Sequence, residues 1–164
     1  MSRAHSAFAA WRVDWPGHPA LGLIARLYLG AVFLLACIHK LAQPEVFALD
    51  IATYQFLPLI FINAFALLLP MVELLTGLML VVGFRGRAAS FLIVWMMIAF
   101  IIGLSHALYL GLDMSCGCFA SSAATEGDSI SGLTLLRDAG WLGIGLYVLF
   151  FDRRPLGIDR WLSK

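Results

Sequence analysis

The stretch LGLIARLYLGAVFLLACIHKLAQ at residues 21–43 is continuously apolar except for Arg26, the His39-Lys40 pair near its end and the closing Gln43. A bilayer core about 30 Å thick takes about 20 residues of helix to cross. Three further stretches of this kind follow at 57–83, 88–111 and 133–151. The chain of 164 residues therefore reads as an all-α polytopic membrane protein, a four-transmembrane-helix bundle over 21–151, with an N-terminal segment at 1–20 and a tail at 152–164. Composition agrees: 62% of residues are apolar, only 13% are charged, and mean hydropathy is +0.91. So few charges cannot clothe a water-facing surface, for which a soluble domain uses about a quarter of its residues. Eleven Lys plus Arg nearly cancel ten Asp plus Glu, leaving no basic footprint for nucleic acid. The expected surroundings are a lipid bilayer, with no nucleic-acid partner.

The connections are too short to fold as separate domains, and no internal repeat divides the chain. Pro58 suits the opening turn of the second span, whereas Pro70 inside it predicts a bend. Cytoplasmic flanks of membrane helices accumulate Lys and Arg. Here Arg3 and Arg12 precede the first span, Arg85 and Arg87 separate the second from the third, and Arg153, Arg154, Arg160 and Lys164 follow the fourth. The intervening loops at 44–56 and 112–132 hold no Lys or Arg but carry Glu45, Asp50, Asp113, Glu126 and Asp128. Both termini are thus expected in the cytoplasm and both acidic loops outside it. Leu34-Leu35-Ala36-Cys37 has the look of a lipoprotein cleavage box, but apolar sequence resumes after it, and the stretch is read as a retained span.

Ionisable groups inside a bilayer are costly and mark candidate sites. Cys37, His39 and Lys40 close the first span, His106 lies near the end of the third, and Arg137 with Asp138 opens the fourth, all at the non-cytoplasmic level. The loop at the same surface contains Met114 and the triplet Cys116-Gly117-Cys118. A disulfide within the triplet would close too short a ring to act as a staple, although Gly117 permits the tight backbone it needs. Such a bond is readily reduced, as redox-active disulfides are. Neighbouring cations at His106 and Arg137 would favour thiolate, with Asp138 orienting Arg137. Three readings stay open from the residues alone: thiol-disulfide exchange, the preferred one; a Cu(I) site from Cys116, Cys118, Met114 and His106, soft donors suited to that ion; and two idle thiols. Cys37 is a further catalytic candidate with core filler as its alternative. His39 and Lys40 read as cations able to snorkel to the headgroups. Arg26 and Glu73 read as a structural ion pair locking the first two spans.

The segments His39-Lys40-Leu41, Pro70 with Glu73 and the stretch 77–83, Cys116-Gly117-Cys118-Phe119, and Leu136-Arg137-Asp138 together resemble membrane proteins of the MauE and DoxX type, and MauE more closely. The resemblance spans about 21–151. It implies a role in periplasmic disulfide chemistry at the bacterial inner membrane, such as maturation of a disulfide-rich dehydrogenase subunit, with a thioredoxin-like periplasmic partner. The plan is also similar to that of vitamin K epoxide reductase proteins, which couple cysteine pairs to quinone, although this chain lacks their two pairs; that likeness implies membrane quinone as a second electron partner, with His39 and Lys40 as candidate contacts.

Overall fold

A computed structural model describes residues 18–55, 57–112 and 132–151. They form five helices: α1 (His18–Ala42), α2 (Pro44–Thr53), α3 (Leu59–Val82), α4 (Gly86–Tyr109) and α5 (Gly132–Phe151). All but α2 are long and apolar enough to cross a membrane. Their ends fall within three residues of those expected for the four spans. The chain is therefore a multi-pass, all-α membrane protein.

The segment 44–56, expected as a loop, is mostly the helix α2. Pro44 at its first position has a preset φ and no N–H to satisfy there, and Glu45 in the first turn complements the helix dipole. Phe47 and Ile51, one turn apart, are buried together against Ile62 and Ala66 of α3. Those signals were legible in the sequence. α3 continues as a helix through the buried Pro70.

The distribution of side chains is that of a bundle solvated by lipid. Leu59 and Ile60 are each 82% exposed, and Leu67, Leu68, Met71, Leu75 and Trp95 also face outward. The interior instead holds Arg26, Lys40, Glu73, Thr76, Ser90 and Asp138. Buried hydroxyls are satisfied locally, since Thr76 donates to the Val72 carbonyl at 2.7 Å and Ser90 to the Gly86 carbonyl at 2.8 Å.

With no hydrophobic drive between helices in lipid, close contact depends on small residues. α1 packs chiefly on α3, where Gly30 and Gly77 meet. A Cβ on Gly30 would lie 2.8 Å from Val81 Cγ2 and 3.0 Å from the Gly77 carbonyl oxygen. α5 packs chiefly on α4, with Gly145 against Val94. Leu29, Phe33, Leu80, Ala89, Ile93 and Met97 join the helices in one apolar cluster. The turn from α3 to α4 is tight because Gly83 takes a left-handed φ of 75°, and the amides of Gly83 and Phe84 both donate to the Met79 carbonyl.

Candidate functional site

Side chains of a helix lean toward its N-terminus, so Lys40, near the end of α1, turns back into the bundle rather than out to headgroups. Its Nζ donates to Glu73 Oε1 at 2.6 Å, with both side chains under a tenth exposed. Nζ also lies 5.0 Å from the centre of the Phe47 ring on α2. Three helices thus enclose one ammonium.

This contact corrects two expectations. Lys40 does not snorkel, and the partner of Glu73 is Lys40, not Arg26. The register set by Gly30 and Gly77 explains why. Arg26 lies four residues from Gly30 toward the α3–α4 turn, and Glu73 lies four residues from Gly77 the opposite way. At about 1.5 Å per residue the two are offset by about 12 Å along the bundle. Arg26 is buried beside Gly86 at the turn end.

α5 adds a second charged group. Asp138 is 1% exposed, and its Oδ1 accepts a long hydrogen bond from Arg137 Nε at 3.4 Å. The guanidinium lies 4.8 Å over the Trp141 ring, and Trp141 Nε1–H donates to the Tyr28 hydroxyl at 3.3 Å. Stacking on Trp141 and the bond to Asp138 together fix Arg137 at the edge of the bundle.

Lys40, Glu73 and Asp138 line one small cleft between the helices, with a volume of about 60 Å³. Its walls are otherwise apolar and rich in aromatic rings and thioethers: Phe33, Phe100, Trp141, Met96 and Met97. Glu73 Oε2 and Asp138 Oδ2 are both closed to solvent and accept no hydrogen bond among the described residues. A second cleft, lined by Asp50, Tyr54 and Phe65 among others, shares Leu69 and Phe100 with the first.

Tyr54, between α2 and α3, stacks edge-on against Phe100 with ring centres 6.4 Å apart. Burial pushes its phenol well above the ordinary range, and the carboxylates of Asp50 and Asp138 add to the shift. The folded protein therefore holds the proton while the unfolded chain releases it near pH 10, an ordinary phenol value of about 10. Stability is full below that pH and falls as pH rises above it. Tyr54→Phe should flatten this alkaline decline, read as the unfolding midpoint in detergent between about pH 9 and 11. An unchanged slope would show that Tyr54 ionises as it does in the unfolded chain.

The remaining candidates are spread apart. Cys37 is fully buried, its thiol donating to the Leu34 carbonyl at 3.1 Å, within electrostatic range of Lys40 and Glu73. His39 faces outward, as does His106 in the last turn of α4. Met114, Cys116 and Cys118 lie outside the described residues. Among the described residues no group of three or more His, Cys, Asp or Glu is placed to hold a metal ion. The charged cleft draws together Lys40, Glu73 and Asp138 from three separate spans. Trp141 and Phe100 belong to its walls and carry no sequence signal beyond an aromatic at an apolar helix position.

A family model described as methylamine utilisation protein MauE matches residues 18–151. No curated protein and no solved structure matches the chain.

Proposed function

The chain belongs to the MauE family, membrane proteins linked to methylamine utilisation, and on that premise we propose that it is a thiol-disulfide oxidoreductase of the bacterial inner membrane. In this reading Cys116 and Cys118 face the periplasm and both termini face the cytoplasm. A thioredoxin-like periplasmic protein is the thiol partner, and membrane quinone is the second electron partner. The exchange is a pair of thiolate displacements. A thiolate of the reduced protein attacks the disulfide of the other, forming a mixed disulfide and releasing one thiolate. The second thiolate of the attacking protein then breaks the mixed bond, so two electrons pass to the protein that was oxidised and protons from water complete its thiols.

The observation that carries the reading is one of chain order. The segment with Cys116-Gly117-Cys118 leaves α4 just after His106 and enters α5 just before Arg137 and Asp138. The chemistry-bearing triplet is therefore tethered on both sides by groups able to influence a thiolate. His106 and Arg137 favour the thiolate in this scheme, and Asp138 positions Arg137.

The decisive experiment replaces both Cys116 and Cys118 with Ser. Exchange with a thioredoxin-like protein should be abolished, since Cys37 is buried in α1 without a local resolving thiol. The thermal midpoint should hardly move, because the ring is so short that the bond sits at the low end of the usual range of about 0–5 kcal/mol. Of the single variants, one should accumulate a mixed disulfide and the other none. Full exchange in the double variant would sink the proposal, and a large loss of stability would point to a structural or metal-binding role for the triplet.

The orientation is tested separately. An impermeant maleimide applied to intact spheroplasts should label the reduced triplet. Labelling only after the membrane is opened would reverse the topology.

A further inference from the structure

Two buried carboxylate oxygens from different helices open onto a space only a few water molecules wide. Glu73 Oε2 and Asp138 Oδ2 lie on residues 6% and 1% exposed and accept no hydrogen bond among the described residues. A buried acceptor left unsatisfied is costly, more so when it is charged, and native structures contain few of them. Each carboxylate has a cation on its other oxygen, Lys40 on Glu73 and Arg137 on Asp138. Those four charges balance, so a further ion of either sign would sit uncompensated in the bilayer region. What fits is a small neutral donor.

The volume selects water. The cleft that both oxygens line measures about 60 Å³, and the neighbouring cleft at Asp50 and Tyr54 about 120 Å³. A molecule takes up about 30 Å³ in liquid water, so the two spaces hold about two and about four molecules. A buried water also needs several polar partners. The first cleft offers Glu73 Oε2, Asp138 Oδ2 and the Lys40 ammonium, which has hydrogens beyond the one given to Glu73. The second offers the Asp50 carboxylate and the Tyr54 hydroxyl.

Position decides access. Leu69 and Phe100 are walls of both clefts, which therefore adjoin. The second lies toward α2, where Asp50 and Tyr54 are each part exposed. Tyr54 is within electrostatic range of Asp50 and Asp138, one carboxylate from each cleft. In the opposite direction the way is closed, among the described residues, by Leu29, Leu80, Ala89 and Ile93, each 0% exposed. They sit one or two turns nearer the α3–α4 turn than the cleft residues of their own helices.

We propose that the two clefts form an aqueous half-channel: water enters at Asp50 and Tyr54 beside α2, passes Phe100 and donates to Glu73 Oε2 and Asp138 Oδ2, with no way on to the α3–α4 turn. The ion pair of Lys40 and Glu73 is thus hydrated from one end of the bundle. This assignment stands on the bundle alone and requires no thiol chemistry.

The test is hydroxyl-radical labelling of the full-length protein in lipid nanodiscs, with the radicals made by a microsecond X-ray pulse. Such radicals react where they form, so a buried side chain is labelled beside a water molecule and not elsewhere. Phe33 and Met97, 5% and 7% exposed on the cleft walls, should label about tenfold faster than Leu29 and Leu80 once each rate is divided by the intrinsic reactivity of its residue type. Mixing with ¹⁸O water before the pulse should place heavy oxygen in those labels. Ala36→Leu, which fills the first cleft, should cut labelling at Phe33 and Met97 about fivefold. Gly103→Met fills the second cleft, from a position where a Cβ would lie 3.9 Å from Tyr54 Cδ1. It should leave the yield unchanged and slow the entry of heavy oxygen about tenfold. Background labelling of Phe33 and Met97 in the natural protein would overturn the proposal whether or not either variant folds, and would mean that the carboxylates take their donors from the chain itself. Full yield without heavy oxygen would mean sealed water and would overturn the half-channel, as would an unchanged exchange rate in Gly103→Met.

Discussion

Lys40→Met should lower the stability of the bundle by about 3–5 kcal/mol, the usual cost of stripping one member from a buried ion pair. The reason is the carboxylate left behind. Glu73 is 6% exposed and accepts a hydrogen bond at Oε1 from Lys40, so among the described residues it would be left without that counterion once the ammonium is gone. Loss of the cation over Phe47 should also loosen α2. Replacing both residues, Lys40→Met with Glu73→Leu, should recover most of the loss, because an apolar pair of similar volume is often as stable as the ions it replaces. Unfolding in mixed micelles of the natural protein, the two single variants and the double variant forms a complete cycle. A near-additive double variant would mean that the 2.6 Å contact contributes little coupling.

A comparably large effect is expected from the contact between α1 and α3. Gly30→Ala places a methyl group 2.8 Å from Val81 Cγ2 and 3.0 Å from the Gly77 carbonyl oxygen. Val81 can rotate, but the carbonyl belongs to the backbone of α3 and cannot yield without moving the helix. Overpacking of this kind costs about 1–3 kcal/mol. Gly30→Leu should separate the helices and draw Lys40 from Glu73. The comparison is Gly140→Ala, where nothing lies within 4 Å and helix propensity should add up to about 1 kcal/mol. Thermal midpoints in detergent read all three. Equal midpoints for Gly30→Ala and Gly140→Ala would show that the interface tolerates a wider spacing than the glycines suggest.

The four spans were legible in the sequence because crossing a bilayer is decided along one dimension, by length and apolarity. α2 was legible in principle, through Pro44, Glu45 and the Phe47–Ile51 spacing, but ten residues between two spans are too few for a helical period to stand out from a connecting segment. Partners were harder. Glu73 could be recognised as needing a cation, yet choosing Lys40 over Arg26 requires the relative register of α1 and α3, which is set by where two glycines meet. His39 and Lys40 illustrate the same limit. Adjacent residues on a helix point about 100° apart, so one enters the bundle and the other leaves it, and no composition rule says which. Asp138 stood out as an acid at the opening of a span. Its place in a cleft with Glu73 depends on the rotation of α5, a property of packing rather than of any local pattern.

The ion pair between Lys40 and Glu73 also bears on how the chain enters the membrane during synthesis. α1 carries both Arg26 and Lys40, each costly when a lone helix meets hydrocarbon, and the counterion for Lys40 lies 33 residues downstream. Until α3 emerges, the first helix has an unmatched ammonium and an unfilled glycine notch at Gly30. Its settled position in lipid therefore depends on a helix not yet made, and the first two crossings are best regarded as a single insertion unit, delivered as a hairpin with α2 folded between its arms.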